Sequence, residues 1–227
     1  KQSGFQWWQA RIWFNLQMFD LLRIDHFRGF VATWEVPAGD ETAENGQWVN
    51  APGKELFWSL KNAFGELPFI AEDLGDITPD VIELRETFGF PGMKILQFAF
   101  GGGAENGYLP HNYEKNFAAY TGNHDNNTTV GWFDSASKHE KKFCQKYLAC
   151  KRKDINWNFI RAIWQSVADT AIVPLQDVLG LGKEARMNFP SSSLGNWQWR
   201  FEKEQLTKEI SEKLRELTEI YGRGKNQ

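Results

Sequence analysis

The sequence predicts an α/β protein, and three observations carry that prediction. Short apolar runs ending in polar or charged residues alternate with stretches of helical periodicity, the pattern of a parallel sheet with helices on its faces. The 227 residues fit one large domain or two small ones, and can bury a substantial core. The last third of the chain is mostly helix and loop.

The elements follow in order. Gln6 to Phe19 is predicted as a helix, because Trp8, Ile12, Leu16 and Phe19 recur at spacings of 4, 4 and 3 and share one face. Leu21 to Asp25 is a short buried strand with a charged end. Glu55 to Phe64 is a second helix, closed by Gly65. Pro68 to Asp73 is a strand ending in acids. Thr78-Pro79-Asp80 starts a helix with a capping hydroxyl, a proline at the first helical position and an acid in the first turn. Val81, Leu84 and Phe88 form its apolar stripe, and Gly89 ends it.

Met93 to Phe98 is a third strand, followed by a loop opened by Gly101-Gly102-Gly103 and Asn106-Gly107. Phe117 to Thr121 is a fourth, leading into Gly122-Asn123-His124-Asp125. Asn156 to Ala168 is a helix and Thr170 to Pro174 a fifth strand. The tail carries Leu206, Ile210, Leu214 and Leu217 on one face of an amphipathic helix. A (β/α)8 barrel takes about 250 residues and eight strands. The residues alone therefore leave two architectures open: an open doubly wound sheet, or the later part of a barrel begun upstream.

Composition excludes several classes. With 26 Lys and Arg against 29 Asp and Glu, the net charge of −3 argues against a nucleic-acid binder. No apolar run approaches the roughly 18 residues of a membrane helix, and Lys1 to Trp8 holds no apolar leader core. Cys144 and Cys150 cannot build a disulfide framework and read as reduced thiols. The four His lack metal-site spacing, so no protein-built metal site is expected. The 11 Trp and 18 Phe suit both a core and a sugar-binding cleft, and composition does not choose between them.

Three acids close predicted strands: Asp25, Glu72 and Asp125. Carboxylates gathered at strand ends repel one another, which raises at least one pKa. Cleavage of a glycosidic bond uses such a pair, one carboxylate attacking the anomeric carbon and one carboxylic acid protonating the leaving oxygen. Arg23, two residues before Asp25, falls on the same side of a strand and would keep it ionised. His124, beside Asp125, could donate to a sugar hydroxyl.

Longer blocks sharpen this. Arg23-Ile24-Asp25-His26-Phe27-Arg28-Gly29-Phe30, with Trp34-Glu35-Val36-Pro37-Ala38 after it, closely resembles the nucleophile motif of the 4-α-glucanotransferases, also called amylomaltases or disproportionating enzymes. Ala71-Glu72-Asp73-Leu74-Gly75 resembles their acid/base motif. Tyr120-Thr121-Gly122-Asn123-His124-Asp125-Asn126-Asn127-Thr128-Thr129 resembles the block holding the transition-state stabiliser. Pro91 to Phe100, Gln176 to Gly182, Glu184 to Pro190 and Gly195 to Arg200 resemble further blocks, in family order.

The resemblance implies roles. Asp25 is the expected nucleophile, Glu72 the general acid/base and Asp125 the residue that clamps sugar hydroxyls at the transition state. Arg23, His124 and Asn188 are expected to line the subsite at the cleaved bond. Tyr108, His111 and Asn112, on a loop over the substrate cleft, are weaker candidates for sugar contact. The implied substrates are maltooligosaccharides and other α-1,4-glucans, without nucleic acid, membrane or cofactor. Family members are about twice this length, so residues 1–227 are expected to form a single domain, the C-terminal portion of a (β/α)8 barrel with extra helices. The barrel's first strands would lie in an N-terminal part of the same enzyme. The cytoplasm and a plastid are both open as compartments. Two other readings remain: an α-glucan hydrolase of the amylase class, and an inactive glucan-binding fragment. Asn123 departs from the family, where a Thr is common.

Overall fold

The computed structural model describes residues 4–224, leaving Lys1–Ser3 and Lys225–Gln227 outside the described residues. The chain divides into two compact units, Lys1–Met93 and Lys94–Gln227. Each has helices and parallel strands, as the sequence predicts.

In the first unit the order is α1 (Gln6–Leu16), β1 (Leu22–Ile24), a 3-10 turn (Phe27–Phe30), β2 (Ala32–Glu35), β3 (Gln47–Asn50), α2 (Gly53–Phe64), β4 (Phe69–Ala71) and α3 (Pro79–Thr87). β1 and β4 run parallel, with Leu22 opposite Phe69 and Ile24 opposite Ala71. The core beneath them is phenylalanine-rich. The Phe57 ring is surrounded by Phe27, Phe30, Phe69, Phe88 and Phe90 at centroid distances of 5.1–6.5 Å. Such stacked, tilted and edge-on pairs add to the gain from simple burial.

Four details differ from expectation. α1 stops at Leu16, so Phe19 leaves the predicted apolar face and is 54% exposed. β1 is half-buried rather than buried. α2 starts at Gly53, two residues early, where a Cβ would meet the Phe30 carbonyl oxygen at 2.1 Å. Only glycine admits that approach. The Thr78 hydroxyl does not cap α3. It accepts from Arg28 and donates to Asp80, whose carboxylate accepts from Val81 N instead. The antiparallel pair β2–β3 was not anticipated, because its connection from Val36 to Gly46 carries no tight-turn signature. Trp34 faces Trp48 across it, ring centroids 5.4 Å apart, and donates its indole N–H to Ala43 O at 2.9 Å.

A three-stranded sheet has the order β5 (Gly92–Ile95), β6 (Phe117–Tyr120), β7 (Thr170–Ile172), with β6 and β7 parallel. β5 ends at Ile95, and Leu96–Phe98 tightens into a 3-10 turn rather than continuing the strand. Around the sheet lie α4 (Thr129–Ser135), α5 (Lys138–Tyr147), α6 (Ile155–Trp164), α7 (Leu175–Val178) and α8 (Lys208–Ile220). α6 ends four residues before the predicted Ala168, and Leu206 precedes α8, leaving Leu217 buried while Ile210 and Leu214 pack beside it. α5 opens with a capping box, Ser137 and Glu140 each bonding the other's backbone N–H. Cys144 is buried in the core with Phe100, Phe133 and Phe159, and burial pushes its thiol far up. Among the described residues no helix is long and apolar enough to cross a membrane, and no His, Cys, Asp and Glu cluster could hold a metal.

Candidate active site

The predicted site residues fall in both units, and each group is built separately. In the first, β1 delivers Arg23 and the residue after its end, Asp25. Alternation along the strand puts both on one side, and Arg23 Nη2 donates to Asp25 Oδ1 at 2.8 Å. The Asp25 side chain is 75% exposed, so its second oxygen is open to a ligand. Glu72 follows β4, and parallel pairing of the strands sets it beside Asp25.

Burial raises the Glu72 carboxyl above the usual glutamate range. The His26 N–H, donating to Oε2 at 2.7 Å, opposes this, while the negative charge of Asp25 reinforces it. Two neighbouring carboxyls thus have different surroundings: one carries a guanidinium, the other is desolvated. A carboxyl raised by burial, as Glu72 is, is suited to donate a proton. The next residue, Asp73, anchors this strand end. Its carboxylate accepts Met93 N at 2.7 Å and pairs with Arg85 at 3.4 Å, both side chains almost fully buried.

In the second unit, β6 leads through Thr121 into a tight turn. Asn123 Oδ1 accepts Asp125 N, and Asn126 Oδ1 accepts Asn123 N, both at 2.9 Å. The residue that departs from the family pattern therefore shapes the turn presenting Asp125. Asn188 Nδ2 donates to Asp125 Oδ1 at 2.6 Å, and His124 Nε2 lies 3.3 Å from Oδ2. The structure thus brings together His124, Asp125 and Asn188. It adds Arg186, which donates to the Asp125 main-chain oxygen at 2.5 Å, and Trp197, whose ring centroid lies 5.1 Å from that of His124.

Under this turn sits a buried hub missed from sequence. Asp177 accepts from the Thr121 hydroxyl at 2.5 Å and from the Thr129 N–H and hydroxyl at 2.6 and 2.8 Å. Burial pushes its carboxyl up, against the pull of those three donors. Its partners are 48 and 56 residues away in sequence, so no local pattern marks it.

The loop candidates are arranged differently. His111 brackets Tyr147 Oη and Ala104 O with its two ring nitrogens, each at 2.9 Å, and Asn112 Nδ2 donates to Ala104 O and Asn106 O. Tyr108 sets its ring edge-on to Phe98 and accepts the Tyr113 hydroxyl at its carbonyl. The polar atoms of Asn112 therefore brace their own loop, and those of His111 also tie it to Tyr147 of α5.

Comparison with known proteins agrees with these motifs. The family model for 4-alpha-glucanotransferases, glycoside hydrolase family 77, matches residues 1–207. A 4-alpha-glucanotransferase of Synechocystis is 52% identical over 226 residues, covering 98% of this chain and 45% of the relative. A chloroplastic/amyloplastic 4-alpha-glucanotransferase of Arabidopsis thaliana is 48% identical, covering 98% of this chain and 39% of its own length. An amylomaltase from Streptococcus agalactiae, solved in complex with acarbose, superposes with a TM-score of 0.94 at 41% identity, over 98% of this chain and 46% of that one. The chain spans less than half the length of these relatives. With its strand-end acids and their neighbours in family order, the chain belongs to the 4-alpha-glucanotransferase family, glycoside hydrolase family 77.

Proposed function

We propose that this chain is the C-terminal part of a 4-α-glucanotransferase, in which it supplies the catalytic acids to a (β/α)8 barrel completed by an N-terminal part of the same enzyme. The observation that carries the reading is the contrast between Asp25 and Glu72: a carboxylate paired with Arg23 beside a carboxyl held above its usual range by burial. Family membership and the 0.94 TM-score to an amylomaltase support it.

The reaction is a retaining double displacement. The Asp25 carboxylate attacks the anomeric carbon of an α-1,4-glucan while Glu72 transfers its proton to the leaving glycosidic oxygen. A C–O bond forms to Asp25 and the leaving chain departs with a free 4-hydroxyl. Glu72, now ionised, takes the proton from the 4-hydroxyl of an incoming glucose or glucan, whose oxygen displaces Asp25. Asp125 holds sugar hydroxyls, with Asn188 and His124 fixing its two oxygens, and strengthens its hold as positive charge develops on the ring. Arg23 orients Asp25 through its guanidinium hydrogen bond. The substrates are maltooligosaccharides and related α-1,4-glucans, the class to which the acarbose held by the Streptococcus amylomaltase is chemically akin. The compartment is the cytoplasm or a plastid, the latter the place named for the Arabidopsis relative.

Incubation of the full-length enzyme with maltotriose tests this. A ladder of longer oligosaccharides together with glucose is expected. Shorter products with no ladder would make the enzyme a hydrolase, and no conversion at all would leave only glucan binding.

A further inference from the structure

The chain just past β1 breaks the regular ladder beside Glu72. In a parallel pair the hydrogen bonds advance evenly, two residues at a time. Leu22 N donates to Pro68 O, and Glu72 N donates to Ile24 O, both at 2.9 Å. The next regular bond would run from His26 N to the Glu72 main-chain oxygen. That oxygen instead receives Phe27 N, one residue later, at 3.0 Å. His26 is therefore an extra residue on its strand, the defining feature of a β-bulge.

Its backbone shows how the extra residue is fitted. His26 sits at φ 45°, ψ 56°, in the left-handed region, and its carbonyl accepts Gly29 N at 2.9 Å as the 3-10 turn begins. The bulge releases one N–H from the ladder and turns it onto Glu72 Oε2 at 2.7 Å. Left-handed backbone is uncommon outside glycine, and His, Asn and Asp are the residues that tolerate it best. Bulges next to active sites re-aim groups in this way, and strained backbone there is a recognised form of pre-organisation.

We propose that His26 is a positioning residue that acts through its backbone: the left-handed bulge aims its N–H at Glu72 and fixes that carboxyl beside Asp25. The role belongs to the conformation, so residues that adopt positive φ readily can take it over and β-branched ones cannot. The inference rests on Glu72 being the general acid/base. The charged groups facing Glu72 are Asp25 and Arg23 from the β1 segment, together with the His26 imidazole. Asp25 and Arg23 remain in place, and the imidazole is equally absent throughout, when backbone preference is varied among residues that lack it.

The test compares His26→Gly, His26→Asn, His26→Ala and His26→Val in the full-length enzyme. All four lack the imidazole, so an effect common to all reports that ring. The expected result is an alkaline limb of kcat/KM that lies lowest and at similar pH in Gly and Asn. It rises in Ala and further in Val, by about one pH unit, as the donor to the carboxylate is lost. Val is also expected to lose about tenfold or more in kcat. If Val does not fold, the Gly–Ala pair carries the comparison. Titration of the Glu72 carboxyl by NMR reads the same order without turnover, which separates failure of this inference from failure of the catalytic role of Glu72. Equal limbs and equal Glu72 titration in Gly, Asn and Ala would overturn the proposal.

Discussion

Arg23, in β1, donates to Asp25, the residue just past the end of that strand, across 2.8 Å. The pair ties a guanidinium to the proposed nucleophile while leaving its other oxygen exposed. Arg23→Ala in the full-length enzyme is expected to lower kcat/KM by about 10- to 100-fold, roughly 1.4–2.7 kcal/mol of transition-state stabilisation. Arg23→Lys should recover part of this, since charge returns without the planar fork. Asp25→Asn should remove turnover by at least about 10^4-fold. Steady-state kinetics on maltotriose check all three, and near-normal rates for Asp25→Asn would remove it from the chemistry.

Glu72 sets the pH dependence. It must be protonated to donate, and burial raises its carboxyl, so activity falls as pH rises through a value above the ordinary ~4.3. The charge of Asp25 contributes to that rise. In Asp25→Asn the Glu72 carboxyl should therefore titrate at lower pH than in the wild type, which NMR of the inactive variant can read.

The same shift has a stability consequence. The folded state binds the Glu72 proton more tightly than the unfolded chain does. Its contribution is therefore fully present below the unfolded value and is lost as pH rises through the raised one. Glu72→Gln cannot ionise. It is expected to abolish activity yet melt at a higher temperature than the wild type at pH 7, with the difference gone well below pH ~4. Thermal melts at two pH values decide this.

Asn188 and His124 hold opposite oxygens of Asp125. Asn188→Ala frees one of them to rotate, and a loss of about 10- to 100-fold in kcat is expected, with a smaller change in KM. Asn188→Asp should be worse, because two carboxylates would face each other. An unchanged kcat in Asn188→Ala would show that Asp125 needs no such brace.

Asp177 is expected to matter for folding first. Asp177→Ala leaves Thr121 and Thr129 as buried donors without an acceptor, at about 1–3 kcal/mol for each group left unsatisfied. Urea unfolding should show a loss of at least ~2 kcal/mol. Asp177→Asn, which keeps one acceptor oxygen, should lie between the two.

What the sequence revealed and what it hid divide along physical lines. Helices with a repeating apolar face, such as α2 and α8, and the apolar runs of β4 and β6 announce themselves through spacing and burial. Their ends do not: α1 stops at Leu16 and β5 at Ile95, where tertiary packing overrides the local pattern. Arg23 and Asp25 are two residues apart on one predicted strand, so their pairing was legible, whereas His124 was read as a donor to sugar and not as a partner of Asp125. Asn188 was tied to Asp125 only by the family motif, since 63 residues separate them. Asp177, Arg186 and the left-handed turn at His26 went unread. Their significance lies in long-range partners or in backbone torsion, and neither leaves a periodic trace.

The division of aromatic labour has an optical consequence. The first unit's core is built from phenylalanine, which is nearly silent in emission, while Trp7, Trp13, Trp34, Trp48, Trp58 and Trp197 are all exposed. Intrinsic fluorescence of the first unit therefore reports its surface more than its interior, whereas in the second unit Trp132, Trp157 and Trp164 pack against the core. Trp197, with its ring against His124, is a built-in probe of the turn that presents Asp125.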